Sequence, residues 1–169
     1  MVSIKKIESY KDYGKCLCIT NGVIEAYVTT DIGPRIIRFG YVGEQNILCS
    51  NRAAFGPKDD KQFTDFYGEN KRWENLGGHR IWVSPESYPE TYYPDLEPVD
   101  FDITENGAVF TPKAESENGV AKSLEIKMDA DDANMQVIMR VKNISKKDKD
   151  FAVWGISVSE KGGTLIIPM

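Results

Sequence analysis

The sequence predicts an all-β protein, an antiparallel β-sandwich, and three observations support this. Short stretches of alternating apolar and polar residues recur along the 169-residue chain, a pattern typical of strands with one buried face. Turn signals such as Asn21-Gly22 and Asn106-Gly107 separate these stretches. No stretch shows a convincing helical period. Two sheets packed face to face are therefore the expected architecture.

The predicted strands follow in chain order from these patterns. A first hairpin joins 15–20 to 23–30 through Asn21-Gly22, and Ile24, Ala26 and Val28 share its buried face. The full set of predicted strands is 15–20, 23–30, 35–41, 45–49, 79–84, 99–103, 108–111, 121–128, 135–142, 151–159 and 164–168. In two of the later strands the predicted inward-facing residues are Leu124, Ile126, Met128, Met135, Val137, Met139 and Val141.

Two segments rich in aromatic residues interrupt the strands. The segment 50–71 has aromatic residues without a clean period, and 88–95 combines tyrosines with prolines. Both are predicted to be ordered loops. They flank the predicted strand 79–84, and binding sites are commonly built from such loops on a sheet scaffold.

The stretch 77–86, Gly-Gly-His-Arg-Ile-Trp-Val-Ser-Pro-Glu, contains the only histidine of the chain. Its glycine pair indicates a bulge or a close backbone approach. Alternation places His79 on one face of a strand and Arg80, Trp82 and Ser84 on the other. An indole can stack on a sugar ring while Arg and Ser bond its hydroxyls. The alternative is an ordinary turn and strand with Trp82 in the core.

Composition excludes several classes of function. The formal net charge of −5 argues against a nucleic-acid partner, because phosphate binding needs a basic face. The lysine-rich run 142–149 is interrupted by Asp148 and is predicted to be a solvated turn. No apolar segment is long enough for a membrane span, and the start of the chain lacks a signal-peptide core. We therefore expect a soluble, cytoplasmic protein with no membrane partner.

Cysteine usage points to buried, reduced thiols. The chain has three cysteines and one histidine, an inventory that gives little support to a zinc site. Cys16 and Cys18 lie on a predicted strand, and intracellular cysteines are seldom paired. No metal and no cofactor are predicted.

Several segments together resemble the galactose mutarotase-like superfamily, also called aldose 1-epimerase-like, whose fold is a β-supersandwich. The segment 33–37, Gly-Pro-Arg-Ile-Ile, is similar to the family's link between its first strands. Residues 77–86 resemble a bacterial branch of the superfamily. The order of 141–145, 151–157 and 162–168 is similar to that of the family's later strands. The resemblance implies that 1–169 is a single β-sandwich domain and the N-terminal part of a longer mutarotase-like domain.

The resemblance implies a carbohydrate-binding protein with a sugar or sugar phosphate as its partner. The candidate cleft residues are Arg35, Trp73, Arg80, Trp82, Glu86 and Trp154. This interpretation expects Arg80 and Trp82 to lie exposed at the floor of an open depression.

Two alternatives stay open. The first is an aldose or sugar-phosphate mutarotase, with His79 as general acid and either Glu86 or a residue outside this chain as base. The sequence departs from the family here, because Trp154 stands about where the family has its acid histidine. The second is a structural module that self-associates as a homo-oligomer and so covers its open sheet edges.

Overall fold

The computed structural model describes residues 1–52, 60–164 and 166–167, and in these residues the chain forms a two-sheet antiparallel sandwich. The strands are β1 (Ser3–Ile7), β2 (Cys16–Thr20), β3 (Ile24–Thr29), β4 (Ile36–Tyr41), β5 (His79–Ser84), β6 (Asp100–Thr104), β7 (Gly107–Thr111), β8 (Val120–Met128), β9 (Met135–Asn143) and β10 (Ala152–Ser157). A 3-10 turn spans Lys11–Tyr13, and a short helix, α1, spans Lys61–Tyr67. The predicted fold class is confirmed.

The two sheets are built mainly from consecutive hairpins. The first sheet has the order β1-β2-β3-β4-β5-β10, and the second has the order β6-β7-β8-β9. β5 pairs with β10 over six residues but touches β4 only through the pair Ile36–His79. β10 therefore returns from the far end of the chain to cover the open side of β5.

The main core lies between the two sheets. Ile24, Ala26 and Val28 of β3 are at most 3% exposed and pack in one cluster with residues of the second sheet. The other fully or almost fully buried members of this cluster are Leu17, Ile19, Ile36, Leu48, Val99, Ala108, Phe110, Leu124, Ile126 and Met128. Met135, Val137 and Met139 pack against it while partly buried, and Val141 is half-buried. The alternation of β3, β8 and β9 thus predicted their inward faces correctly.

A second, smaller cluster covers the outer face of the first sheet near the start of β5. Ile37, next to the core residue Ile36, points to this side and packs with Tyr13 and Leu76. The Tyr13 hydroxyl donates to the Leu76 carbonyl at 2.7 Å. This cluster anchors the segment that leads into β5.

Two predicted strands are wrong. Of 45–49, only Leu48 makes an isolated bridge, to Ser159. The Ile47 N–H donates to the Phe39 carbonyl of β4, but the Asn46 side chain takes two neighbouring backbone groups of β4 and interrupts a regular ladder. Its amide donates to the Ile37 carbonyl at 2.8 Å and accepts from the Phe39 N–H at 3.0 Å. In the predicted strand 164–168, residues 165 and 168 lie outside the described residues, and the other three are not in a strand.

Two further elements, β1 and α1, were not predicted from the sequence. β1 is an exposed edge strand with two lysines, so it lacks the alternation of a half-buried strand. α1 has only seven residues, too few to establish a period. Its start does carry a sequence signal, since Asp60 accepts from the Phe63 N–H as an N-cap. The rest of the predicted loop at 53–59 lies outside the described residues.

Candidate functional site

The glycine pair before β5 is required by close backbone contacts. Gly77 and Gly78 have φ values of 68° and 65°, a backbone conformation that residues other than glycine rarely adopt. A Cβ on Gly78 would collide with the Ile36 carbonyl oxygen, and one on Gly77 with the Cys49 carbonyl oxygen. The Gly78 N–H donates to the Cys49 carbonyl at 2.8 Å, and its carbonyl accepts from Val158 at 2.8 Å. The predicted close approach of backbone is confirmed.

His79 lies on the face of β5 that points toward β9. Its Nδ1 is 2.8 Å from the Ser157 hydroxyl. A Cβ on the adjacent Gly155 would lie 2.7 Å from the Met139 Cε and 3.2 Å from the His79 Cε1, so the imidazole and the end of Met139 both lie close to this glycine. Burial and the nearby charge of Arg35 lower the pKa of His79. The imidazole is therefore neutral at neutral pH.

Arg80 and Trp82 lie on the opposite face of β5, as the alternation predicts, but they are buried. They are 9% and 3% exposed. Trp73 and Tyr92 pack edge-on against the Trp82 ring, with centroid distances of 6.2 and 5.4 Å, and Trp73 and Tyr92 are 5.1 Å apart. The expectation that Arg80 and Trp82 line an open depression is wrong, because burying these aromatic rings together removes more apolar surface from water.

The Arg80 guanidinium has no hydrogen bond or ion pair in the described part of the chain. Its central carbon lies 3.6 Å from the Trp82 ring centroid and 5.2 Å from that of Trp73. Burial, followed by the charge of Arg35, lowers the pKa of Arg80 to about 9. Arg80 is therefore still charged at neutral pH.

The remaining candidate residues occupy separate positions. Arg35 is 1% exposed and its guanidinium lies 2.5 Å from the Asp95 carboxylate. Glu86 is exposed; its hydrogen bond to Tyr92, together with burial, raises the pKa of the Tyr92 hydroxyl. Trp154 lies on β10 opposite Trp82 and is 42% exposed. The structure thus brings together Trp73, Arg80 and Trp82, and it places Trp154 next to Trp82 on the same face of the sheet. Glu86 lies near this cluster through its effect on Tyr92, and Arg35 is paired elsewhere.

A narrow cleft lies beside Arg35, between the two sheets. Ile81 of β5, Tyr93 and Asp95 form one side, and Glu115 and Lys122 form the other. The Lys122 ammonium lies 2.5 Å from the Glu115 carboxylate, and both side chains are 7% exposed. The cleft has a volume of about 20 Å³, which is room for about one water molecule. It cannot hold a sugar as it stands.

A larger cleft lies at the other end of β5, which we call the β5-end cleft. Three connections meet there: β5 to β6, β7 to β8, and β9 to β10. Its volume is about 200 Å³, and beside Val83, Pro85 and Val120 its lining residues are Ser87, Glu90, Thr91, Asn118, Lys149, Asp150 and Phe151.

Hydrogen bonds hold these connections together. The Lys149 ammonium donates to the Asn118 carbonyl at 2.5 Å and lies 4.0 Å from the Glu90 carboxylate. The Tyr67 hydroxyl of α1 donates to the Glu90 carbonyl at 2.6 Å.

Sequence reasoning missed the lining residues of the β5-end cleft. The loop 88–95 was predicted to flank the site, but the run 142–149 was predicted to be a solvated turn. The available signal was the order Lys149-Asp150-Phe151, which places two opposite charges beside an aromatic ring. That signal indicates a cleft only once the structure shows that Asn118 and Glu90 line the same cleft as these three residues.

The cysteines are free thiols, as predicted. Cys16 and Cys18 are buried and Cys49 is half-buried. Burial raises the pKa of Cys16 to about 12, so this thiol is protonated at neutral pH. Within residues 1–52, 60–164 and 166–167, no group of three or more His, Cys, Asp or Glu side chains is arranged to hold a metal ion.

In comparisons with protein-family models, curated proteins and solved structures, none matches this chain. The described residues contain no helix with the length and apolar character needed to cross a membrane.

Proposed function

We propose that the protein binds a sugar in the β5-end cleft. The observation that carries this proposal is the chemistry of the lining: carboxylates, an ammonium and hydroxyl groups line the same cleft as the partly exposed phenyl ring of Phe151. Sugar recognition needs this combination, because hydroxyl groups pair with both donors and acceptors while the C–H face of the ring packs on an aromatic side chain.

Size and charge narrow the class of ligand. The cleft volume of about 200 Å³ is below the roughly 300–1,000 Å³ of sites for drug-sized molecules, which favours a single sugar ring. Glu90 and Asp150 give the lining one more negative charge than Lys149 offsets. A phosphate group would be repelled at this position. The proposed ligand is therefore a neutral monosaccharide.

Calorimetric titration with neutral hexoses and their 6-phosphates tests this proposal. A neutral hexose is expected to bind more tightly than its phosphate. Asp150→Asn should weaken binding about tenfold or more, since a hydrogen bond to a charged group contributes about 1.5–3 kcal/mol. Asp102→Asn is the matched control, because Asp102 is exposed on β6 of the second sheet. The proposal fails if no neutral hexose binds or if both variants bind equally.

Mutarotase activity stays a prediction, and the arrangement of its proposed acid and base disfavours it. His79 lies near Met139 on one side of β5, whereas the Glu86 carboxylate acts on the Tyr92 hydroxyl, whose ring packs against Trp82 on the other side. One sugar ring cannot contact both groups, as acid-base catalysis would require. Polarimetry on freshly dissolved hexoses checks this: we expect the rate of the buffer alone, unchanged in His79→Gln.

A second candidate function is self-association through β10, and the edges of the two sheets favour it. Three of the four edge strands carry charges: lysines on β1, aspartates on β6, and basic residues on β9. Such charges oppose edge-to-edge pairing. β10 carries no charge between Ala152 and Ser157, and Val153 and Trp154 are 43% and 42% exposed. Antiparallel pairing of β10 with a second copy would satisfy this edge.

Sedimentation equilibrium over a range of protein concentrations tests this candidate. A dimer is expected, and Trp154→Lys should convert it to a monomer by placing two like charges across the pair. Ile103→Lys is the matched control, since Ile103 is 54% exposed on the edge strand β6. A monomer at all concentrations would end the proposal, as would equal effects of the two substitutions.

A further inference from the structure

Three side chains in mutual contact beneath Tyr92 carry buried hydrogen-bond donors that have no partner among the residues that the structure describes. The atoms are Arg80 Nη1, Trp73 Nε1 and Trp82 Nε1. The guanidinium stacks on both indole rings, at 3.6 Å from the Trp82 centroid and 5.2 Å from that of Trp73. Buried polar groups are almost always hydrogen-bonded in folded proteins. Three unpaired donors on adjoining side chains therefore indicate a missing acceptor.

The positive charge of Arg80 indicates that the missing partner is an anion. Arg80 is 9% exposed and has no carboxylate within ion-pair distance in the described part of the chain. Asp95, a half-buried acid in the connection after β5, is already paired with Arg35. After burial, the positive charge of Arg35 acts to lower the pKa of Arg80 more strongly than the carboxylate of Asp95, followed by that of Glu86, acts to raise it. A water molecule could accept from the donors but could not compensate the buried charge, whereas an anion would do both.

We propose that Arg80, Trp73 and Trp82 form a binding site for an oxyanion, the carboxylate or phosphate group of a small ligand. A guanidinium offers paired donors that match two oxygens of such a group, and the indole N–H groups are further donors. This site is separate from the β5-end cleft, since Arg80 and Val83 lie on opposite faces of β5. The two sites can therefore be tested independently.

Tyr92 closes this anion site. Its ring packs against Trp73 and Trp82, and the exposed carboxylate of Glu86 raises the pKa of its hydroxyl. An anion must displace this ring to reach Arg80. Tyr92→Ala is therefore expected to speed the association of the anion while leaving the three donors in place.

Tryptophan fluorescence measures binding at this site directly. The chain has three tryptophans, and two of them, Trp73 and Trp82, belong to the site. In a Trp154→Phe background, every change in emission reports on the site. Inorganic phosphate and acetate are titrated separately, with sodium chloride of the same ionic strength as the reference. A saturable change with phosphate, acetate or both supports the proposal and identifies the preferred oxyanion.

Variants at Arg80 distinguish specific binding from a general salt effect. Arg80→Met should weaken binding tenfold or more, and Arg80→Lys should retain part of it because it keeps the charge but loses the paired donors. Arg140→Met is the matched control, since Arg140 is exposed on β9 and should bind like the parent. The proposal is overturned if neither anion changes the fluorescence beyond sodium chloride, or if Arg80→Met binds like the parent.

Discussion

Methionine substitutions at two buried arginines should have opposite effects on stability. Arg80→Met removes a charge that has no ion-pair partner within the described ranges 1–52, 60–164 and 166–167, whereas Arg35→Met leaves the Asp95 carboxylate without the guanidinium that lies 2.5 Å away. The two arginines are 9% and 1% exposed, so both substitutions place the same apolar side chain in a buried position. The difference between them measures ion pairing.

The expected change in the free energy of unfolding for Arg80→Met follows from the cost of burying the Arg80 charge. Lowering its pKa from 12.5 to about 9 corresponds to about 5 kcal/mol at neutral pH. Two losses offset this gain: the cation-π contact with Trp82 stabilises the parent by about 2 kcal/mol, and imperfect packing of methionine destabilises the variant by about 1–2 kcal/mol. Arg80→Met should therefore raise the free energy of unfolding by about 1–2 kcal/mol. Arg35→Met should lower it by about 3–5 kcal/mol, the usual effect of removing one partner of a buried pair.

Urea unfolding, in a buffer free of phosphate and carboxylates, is the assay. The corresponding change in Tm is about 2–4 °C per kcal/mol for a protein of this size. Both variants must keep the circular dichroism of the parent. If Arg80→Met lowers the free energy of unfolding by 1 kcal/mol or more, Arg80 has a stabilising partner in the free protein and the reasoning about its unpaired charge is refuted.

Three further predictions concern the same scaffold. Gly78→Ala should cost at least 1 kcal/mol more than Gly22→Ala in urea unfolding, because both have positive φ but only the first would strike a backbone carbonyl, that of Ile36; equal costs would contradict this. The pKa of His79 is lowered, so below about pH 6.5 the unfolded chain binds a proton that the folded chain does not, and stability falls. His79→Gln should reduce the loss of stability between about pH 7.5 and 5.5; an unchanged loss would count against this assignment. Phe110 is fully buried, so Phe110→Ala should cost about 3–5 kcal/mol by the same assay, and a cost below about 1 kcal/mol would show that its surroundings collapse to fill the space.

Much of the fold could be predicted from the sequence because alternation is a local signal. β5 was predicted with its observed bounds, 79–84, and the inward face of β3 was predicted residue by residue. The glycine pair at 77–78 was also interpreted correctly as a close backbone approach. Elements without alternation were missed or wrong. α1 is too short for a period, and Asn46 replaces a strand by side-chain hydrogen bonds.

The candidate site was predicted only in part. Alternation correctly placed Arg80 and Trp82 on one face of β5, but it carries no information about what covers that face. Tyr92 and Trp73 cover it, and both belong to connections without a regular period. The β5-end cleft was missed because its lining comes from three connections that are far apart in the chain.

The sequence by itself determined the two-sheet architecture, the direction of each side chain on β5, and the glycines that let the backbone pass close to Ile36 and Cys49. These follow from the two-residue period of a strand and from the conformational limits of residues other than glycine. Only the tertiary structure decided that Arg80 is buried with no ion-pair partner in the part of the chain that is described, and that Glu90, Asn118 and Asp150 meet around one cleft. Burial and convergence depend on contacts between distant segments, and packing of the whole chain decides which of those contacts form.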